Sequence, residues 1–474
     1  MSSPKRLHPV AIIFTVIKSL RQLIYALFPI IILASSDFGL HYVVLIISII
    51  VVIFIGFSVL SWLRFTYRIE GDQLRIEKGV IVRQKRTISK NRIQSIDLTQ
   101  GIIHRIFGLT KVQIETAGSD RSVDAGLSAV KLEEGQHLHN ELKSKYENVE
   151  SVVESDKQTN HAQHTITVKR LLLAGSTSAS FGIVLSLFAL TFTEIEAFVP
   201  ESFYNRTTNL LLSQGIELLI VLGIVLFILL WMLGILTMVV KYGKFTITRY
   251  ENELFITRGL LEKKQMTIPI KRIQAVSIKE SLIRQPLGFA TISVEIAGGE
   301  TEKQNASETL LFPLLRKTEV KGFLDEILPE YENNSTFRKL VPKRALPYYL
   351  LRTSMIPLIG LIGIAIFMPE WVILPIILLG LSVILGFVRY RTTSFNLSEN
   401  QLTLQLRMFS KEIVLLKSKR IQALERSQHF LHRKQNLGTM KLSILNNFGG
   451  RHYNINELNE EDLDKIGDWY STET

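Results

Sequence analysis

The tripeptide Arg-Ile-Gln occurs three times in this chain of 474 residues, starting at Arg92, Arg272 and Arg420. A guanidinium group is planar, and its N–H donors match the oxygens of a phosphate. Each arginine could therefore bind a lipid phosphate, or it could hold a turn or pair with a carboxylate inside the folded protein. We favour the structural role, because the flanking apolar residues are typical of a strand that enters a core.

Further basic residues precede the first two tripeptides and could face anionic lipid headgroups. Near such a surface each cation gains roughly 1 kcal/mol. The alternative is the general excess of Lys and Arg on the inner side of a membrane, combined with a solvated strand face. Nucleic acid is not an expected partner, because the charge lies beside apolar blocks and forms no stripe with aromatic residues. The residues are Arg83, Lys85, Arg86, Lys263, Lys264 and Lys271.

Residue patterns for catalysis or metal binding are scarce. The chain has no cysteine, which excludes disulfides, thiolate zinc sites, iron–sulfur clusters and cysteine nucleophiles. It also lacks a phosphate-binding loop, a nucleophile elbow and a His-Glu-x-x-His motif. The close histidine pairs lack an obvious third ligand, so we interpret them as surface residues and expect no metal, no cofactor and no enzymatic activity. These pairs are His137 with His139, His161 with His164, and His429 with His432.

A long internal repeat contains the Arg-Ile-Gln tripeptides. Residues 65–118 align with residues 245–298 without a gap, so that Gly108 matches Gly288. A weaker third copy begins near Phe395 and includes Leu437-Gly438. Each copy contains short alternating or β-branched stretches and then an amphipathic helical pattern. The pattern predicts a small β-sandwich or barrel closed by one helix.

Apolar blocks precede each copy in pairs, and each is close to the roughly 20 residues that a membrane span needs. The short links within the pairs contain little Lys or Arg, whereas basic residues crowd the other ends of the blocks. The positive-inside rule therefore places both termini and all three copies in the cytoplasm. Arg352 lies near the expected cytoplasmic end of the fifth block, where a long cationic side chain can reach the headgroups. The six blocks cover about 14–36, 41–63, 171–192, 216–240, 345–368 and 371–388.

The apolar blocks and the three copies of the repeat together predict a division of the chain into eight segments. The three helix pairs alternate with the three β-rich modules, and two polar links join one module to the next pair. The predicted helix pairs are 1–63, 169–240 and 345–388, the modules are 64–148, 241–331 and 389–474, and the links are 149–168 and 332–344.

The order of elements resembles a pleckstrin-homology (PH) domain. The helix pair, the Arg-Ile-Gln segment and the later Gly-containing turn together resemble the bacterial PH-domain membrane proteins, and the arrangement of three copies is similar to the YdbT-like group. The resemblance implies a membrane α + β fold in which six transmembrane helices form three pairs, each followed by a PH-like sandwich or barrel with a C-terminal helix. It also implies a multi-pass protein of the cell membrane, but no reaction.

The function that we expect is that of an integral membrane scaffold in cell-envelope maintenance. Its cytoplasmic modules would bind partner proteins, another PH-domain membrane protein or anionic lipid. The alternative is a transporter or lipid-handling channel that the modules regulate. A transport path typically has paired ionisable residues or broken helices at mid-membrane, and the apolar blocks contain few polar residues.

Overall fold

The computed structural model describes residues 4–17, 40–116, 125–143, 161–178, 186, 216–297, 308–333, 338–446 and 450–473. They belong to two compact units, 1–160 with 261–269 and 161–260 with 270–474. The three copies of the repeat have one element order: a short strand, a membrane segment, two antiparallel sheets and a closing helix.

The first copy contains seven strands. Strands β1 to β4 form one antiparallel sheet in chain order, and β5 to β7 form a second antiparallel run. The elements are β1 (Lys5–Arg6), α1 (Leu40–Arg64), β2 (Thr66–Glu70), β3 (Gln73–Lys78), β4 (Gln84–Ser89), β5 (Ile93–Gln100), α2 (Ile102–Ile106), β6 (Leu109–Thr116), β7 (Ala125–Lys131) and α3 (Leu132–Lys143).

The second copy repeats this order. Strands β8, β9 and β10 pair in sequence, as do β12, β13 and β14. The elements are β8 (Gln163–Thr165), α4 (Val168–Ser176), α5 (Ile216–Tyr242), β9 (Thr246–Arg249), β10 (Glu253–Arg258), β11 (Lys263–Pro269), β12 (Ile273–Glu280), β13 (Phe289–Ile296), β14 (Glu308–Arg316) and α6 (Lys317–Ile327).

The third copy is described almost completely. Strands β15 to β18 form one antiparallel run, and β19 to β21 form a three-stranded sheet. The elements are β15 (Lys339–Leu340), α7 (Leu346–Phe367), α8 (Ile373–Thr392), β16 (Ser394–Leu397), β17 (Gln401–Arg407), β18 (Lys411–Lys417), β19 (Ile421–Ser427), α9 (Phe430–Lys434), β20 (Leu437–Ile444), β21 (Arg451–Asn459) and α10 (Glu460–Glu473).

Four helices of the described residues are long and apolar enough to cross a membrane: α1, α5, α7 and α8. The third pair is therefore present as predicted. Most of the first predicted span, about 14–36, lies outside the described residues, and so does most of the third, about 171–192. Within those two spans the structure describes a helical segment at 11–17 and the helix α4. Six helices in three pairs thus remain a prediction.

Two strands that pair with each other bracket each membrane segment. Strand β1 pairs with β2 across the first segment, β8 pairs with β9 across the second, and β15 pairs with β16 across the third. Paired strands lie about 4.8 Å apart. The chain therefore enters and leaves each membrane segment at one place. The predicted links 149–168 and 332–344 include β8 and β15, so each contributes a strand to the module that follows it.

Apolar side chains between the sheets and the closing helix form the core of each module. In the third copy, Leu404, Leu442 and Trp469 belong to one buried cluster. In every copy a residue with a left-handed backbone conformation precedes the second strand of the second sheet (β6, β13 or β20). In the first two copies this residue is Gly108 (φ 62°) and Gly288 (φ 72°). The third copy has Asn436 (φ 48°) there instead, since asparagine tolerates this conformation better than most residues. Gly438 of the sequence pattern lies two residues later, in β20.

One basic position ties each module to the first helix of its membrane segment. His104 stacks on Phe14, with ring centroids 4.1 Å apart. Arg284 is buried and donates to the carbonyl oxygen of Ala174 (2.9 Å) and to the hydroxyl of Thr177 (3.0 Å). His432 packs edge-on against Tyr348 at 4.8 Å. These contacts fix each module at its helices.

Neighbouring copies join by edge-to-edge strand pairing. Strand β11 of the second copy pairs antiparallel with β5 of the first, with Lys264 opposite Thr99. Strand β18 of the third copy pairs with β12 of the second, from Ala275–Leu416 to Glu280–Lys411. In each junction the last strand of one module's first sheet therefore covers the open edge of the preceding module's second sheet, which removes unpaired backbone groups from that edge.

An ionic cluster beside the β12–β18 junction links the second and third copies. Arg451 contacts the carboxylates of Glu295, Glu308 and Glu412. Glu295 is fully buried and also accepts from the side-chain amide of Asn446 at 3.0 Å. Burial, aided by the nearby charge of Glu308, raises the pKa of Glu295 to about 7, while the pKa of Glu308 is lowered because Lys279 and Arg451 hold its charged form.

Replacing Arg284 tests the tie between the second module and its helix. Arg284→Ala removes donors from buried acceptors, so we expect the free energy of unfolding to fall by about 1–3 kcal/mol. Thermal unfolding of the full chain in detergent measures this loss. The matched control is Lys321→Ala on the exposed face of α6, where we expect a change of less than about 0.5 kcal/mol. Equal losses in both variants would contradict the role of Arg284.

The raised pKa of Glu295 predicts a pH dependence of stability. The folded protein binds a proton on Glu295 below about pH 7, whereas the unfolded chain binds one only near the ordinary glutamate pKa of 4.5. Stability should therefore rise as the pH falls from about 8 to 5, by at most about 1.4 kcal/mol per pH unit from this group. Glu295→Gln should flatten that slope in thermal unfolding, and the exposed Glu251→Gln should leave it unchanged. An unaltered slope in Glu295→Gln would show that another group causes it.

Candidate functional site

A cavity of about 610 Å³ lies between the third membrane helix pair and the third module. The ends of the two helices supply Arg352 and Arg389, and β17 supplies Arg407. Strands β12 and β21 add Lys279 and Arg451. Among the described lining residues only Glu412 has a carboxylate, so five cations surround the space.

Three of these five cations have carboxylate partners. Arg352 pairs with Glu457, whose side chain is fully buried and whose pKa is raised by that burial. Arg451 belongs to the ionic cluster described above, and Lys279 contacts Glu308 and, at 3.8 Å, Glu412. The charges of these three residues are therefore neutralised within the protein.

Arg389 and Arg407 differ from the other three cations. The Nε of Arg389 donates to the carbonyl oxygen of Met408 at 2.7 Å. Arg407 donates to the side-chain oxygen of Gln285 at 2.7 Å and to the carbonyl oxygen of Phe409 at 3.3 Å. In the described part of the chain no carboxylate forms an ion pair with either residue. Burial lowers the pKa of Arg407, although the negative charge of Glu280 opposes that shift.

An apolar hairpin tip forms the rim of the cavity. Met408 and Phe409, between β17 and β18, expose 71% and 54% of their side-chain surface, and the guanidinium of Arg389 lies over the Phe409 ring at 5.8 Å. All three modules expose further large apolar residues, either in this hairpin or in the loop or short helix before the second strand of the second sheet (β6, β13 or β20). Those residues are Ile81, Val82, Ile102, Ile106 and Phe107 in the first copy, Leu261, Leu282, Ile283 and Leu287 in the second, and Phe430 and Leu431 in the third.

In the second copy a smaller cavity of about 290 Å³ lies between the membrane helices and the second sheet of the module, away from the β10–β11 hairpin. Lys241 lines it and precedes Arg272 by as many positions as Arg389 precedes Arg420. Its other buried cation, Arg284, is already used in hydrogen bonds to α4 and the loop after it. The second cavity therefore has less room and fewer available donors than the third.

The arginines of the three tripeptides lie at the ends of short 3₁₀ turns that lead into β5, β12 and β19. The Nε of Arg272 donates to the carbonyl oxygen of Ala297 at 2.9 Å, and the backbone of Ala297 donates back to Arg272. Arg272 thus holds the end of β12 against the chain that follows β13. Neither Arg92, Arg272 nor Arg420 lines either cavity.

The predicted basic residues also lie away from the two cavities. Arg83 and Lys85 contact Glu77 beside β4. Lys263 and Lys264 lie on β11, opposite Gln100 and Thr99 of β5. Lys271 is exposed in the 3₁₀ turn before β12, and Arg86 is exposed on β4. Their binding to lipid or to a partner stays a prediction.

Apart from Arg352, the arginines that line the larger cavity were not singled out from the sequence, for two reasons. Arg389 looks like any basic residue at the inner end of a span, and its neighbour Arg391 is indistinguishable from it by composition. Arg407 and Arg451 lie far apart in the sequence, on strands that meet only in the folded module. The equivalence of Lys241 with Arg389 is the one signal that the repeat offered.

The family of the chain follows from comparison with known sequences. The bacterial PH domain family matches residues 14–146, 202–331 and 354–474, so three matches cover most of the chain. The chain belongs to this family, and the predicted threefold PH-like repeat is confirmed. It is also 33% identical to the UPF0699 transmembrane protein YdbT of Bacillus subtilis (strain 168), over 100% of this chain and 99% of that relative. The similarity to a transmembrane protein over the full length and the four long apolar helices together make this chain a membrane protein.

Proposed function

We propose that the chain is a non-enzymatic membrane scaffold whose third PH module holds an anionic lipid headgroup in the cavity of about 610 Å³. The pair formed by Arg389 and Arg407 supports this proposal: both guanidinium groups face one cavity, and their hydrogen bonds go to neutral oxygens, with no ion pair to a carboxylate among the described residues. Two such groups suit the oxygens of one phosphate, because each presents several N–H donors in a plane. The modules and both termini would be cytoplasmic, as the basic residues at the helix ends favour.

The surroundings of the cavity favour a lipid over a soluble anion. Arg389 lies in the last turn of the apolar helix α8, at the level where a membrane helix meets the headgroups. The exposed Met408 and Phe409 at the rim offer apolar contacts that acyl chains can cover and that a free phosphate cannot. A headgroup in the cavity would therefore leave its chains beside α7 and α8.

Several contacts fix the third module to its helices and so preform the proposed lipid site. The Arg352–Glu457 pair, the Tyr349 hydroxyl bonded to the carbonyl oxygen of Asn456 at 3.2 Å, and the side-chain amide of Gln405 bonded to the carbonyl oxygen of Thr392 join α7 and α8 to the sheets. These contacts hold the walls of the cavity at a constant separation. A preformed site loses less conformational entropy when it binds its ligand. The remaining module surfaces are available for partner proteins, including other PH-domain membrane proteins.

Titration of lipid onto the purified full chain tests the lipid site. We expect native mass spectrometry to show phosphatidylglycerol retained more strongly than phosphatidylcholine, with less retention at higher ionic strength. Arg389→Gln and Arg407→Gln should each weaken retention of phosphatidylglycerol by about tenfold or more, since a hydrogen bond to a charged group contributes about 1.5–3 kcal/mol.

Arg391→Gln provides the matched control. Arg391 lies two residues beyond Arg389 in α8 and does not line the cavity, so its loss should change retention less than about threefold. Inorganic phosphate at millimolar concentration should not displace the lipid, and displacement would assign the site to a soluble anion. Equal retention of both lipids, or equal effects of all three substitutions, would refute the lipid site.

A further inference from the structure

The strand pairing between copies has a geometry that the chain uses twice. In each junction the last strand of a module's first sheet (β11 or β18) pairs antiparallel with the first strand of the preceding module's second sheet (β5 or β12). The same module positions are opposite each other in both junctions. The structure therefore contains two examples of one interface, with one register.

Two edges of the same kind have no partner strand among the described residues. Strand β4 ends the first sheet of the first copy, and β19 ends the last sheet of the third copy. Residues Gln84 to Thr87 of β4 are exposed, as are Glu425, Arg426 and Ser427 of β19. The corresponding strand of the second copy, β12, is almost entirely buried under β18. The two edges correspond to the two sides of the interface that the chain already forms internally.

Charged residues at an edge often prevent pairing between sheets. The internal junctions show that they do not do so here, because β11 carries Lys263 and Lys264 and β18 carries Lys411, yet both strands are paired. Lys411 even lies opposite Glu280. The basic residues of β4 are therefore compatible with an edge that accepts another strand.

Both internal junctions predict the same register for a contact between β4 and β19. The pair Ser277–Val414 corresponds to Glu425 opposite Arg86. The pair Leu98–Gln265 corresponds to Arg426 opposite Lys85, which is the same alignment.

The charges fit this register. Glu425 and Arg86 carry opposite charges and are both exposed, and Glu425 also contacts Lys441 of β20 at 3.3 Å. Arg426 and Lys85 already have carboxylate partners, Asp464 at 2.7 Å and Glu77 at 3.7 Å. The like charges of this second pair are therefore compensated locally.

We infer that β4 of one molecule adds to β19 of a second copy of this chain, as a head-to-tail extension of the internal junctions. Such a heterologous contact leaves a free β4 and a free β19 at the ends, so it produces open chains or closed rings of several copies. The inference goes beyond the lipid site and does not depend on it. It identifies a second copy as the partner of the scaffold.

Disulfide trapping in membranes that contain the full chain tests this contact. The chain has no cysteine, so single cysteines report without background. Opposite residues of an antiparallel pair have Cα atoms about 4.5–5.5 Å apart, within the range that a disulfide spans. Differently tagged chains carrying Glu425→Cys and Arg86→Cys should form a mixed dimer on oxidation. The double variant should form a ladder of dimers, trimers and larger species.

Control variants test the strand register and the efficiency of disulfide oxidation. Thr87→Cys, used in place of Arg86→Cys, puts the cysteine on the other face of β4. It should reduce the yield of mixed dimer at least fivefold. The variant with Thr99→Cys and Lys264→Cys tests oxidation within the β5–β11 junction and should form an intramolecular disulfide. Charge reversal needs the cysteines at another opposite pair, Ser427→Cys with Gln84→Cys, which correspond to the pair Thr99–Lys264. In that background Glu425→Arg should lower trapping about two- to fivefold, and adding Arg86→Glu should restore it.

Two results would overturn the inference: an internal disulfide without a mixed dimer, or trapping of Glu425→Cys only to a different protein. Arg389→Gln should leave the trapping unchanged, which separates this contact from the lipid site. Loss of lipid retention with intact trapping would therefore affect only the proposed lipid function. Loss of trapping with intact lipid retention would affect only the contact between copies.

Discussion

The pairing of the two strands that bracket each membrane segment constrains the rest of the structure. Strand β15 pairs with β16, and between them the chain passes through α7 and α8. The same pairing occurs around the first and second segments. Because paired strands are about 4.8 Å apart, the beginning and the end of each segment are held together and the module begins where its helices end.

This constraint explains the location of the cationic cavity. Helix α8 ends at Thr392 and β16 starts at Ser394, so there is no linker that could move the module away from the helix ends. One side of the last turn of α8, the side that carries Arg389, must then face the first sheet of the module. Arg389 meets Arg407 for this reason, and the hairpin tip with Met408 and Phe409 lies beside them.

The edge-to-edge junctions explain why three modules occur in one chain. A module of this kind has an open strand edge at each sheet, and an open edge attracts other strands. In this chain the next copy covers that edge, first at β5 and then at β12. The ionic cluster around Arg451 adds specificity to the second junction, because its carboxylates come from β13, β14 and β18.

The sequence by itself determined the repeat, the strands, the closing helices and the apolar helices that the structure describes. Apolar periodicity and helix length depend on nearest neighbours along the chain, so they can be read without a fold. The Gly-containing turn of the repeat coincides with left-handed residues at Gly108 and Gly288, but in the third copy Asn436 adopts this conformation and not a residue of the Leu437-Gly438 pair. Only the tertiary structure decided which cations are neutralised. Arg389 and Arg391 are alike in sequence, and the folded module brings only Arg389 to a cavity without supplying a carboxylate partner among the described residues.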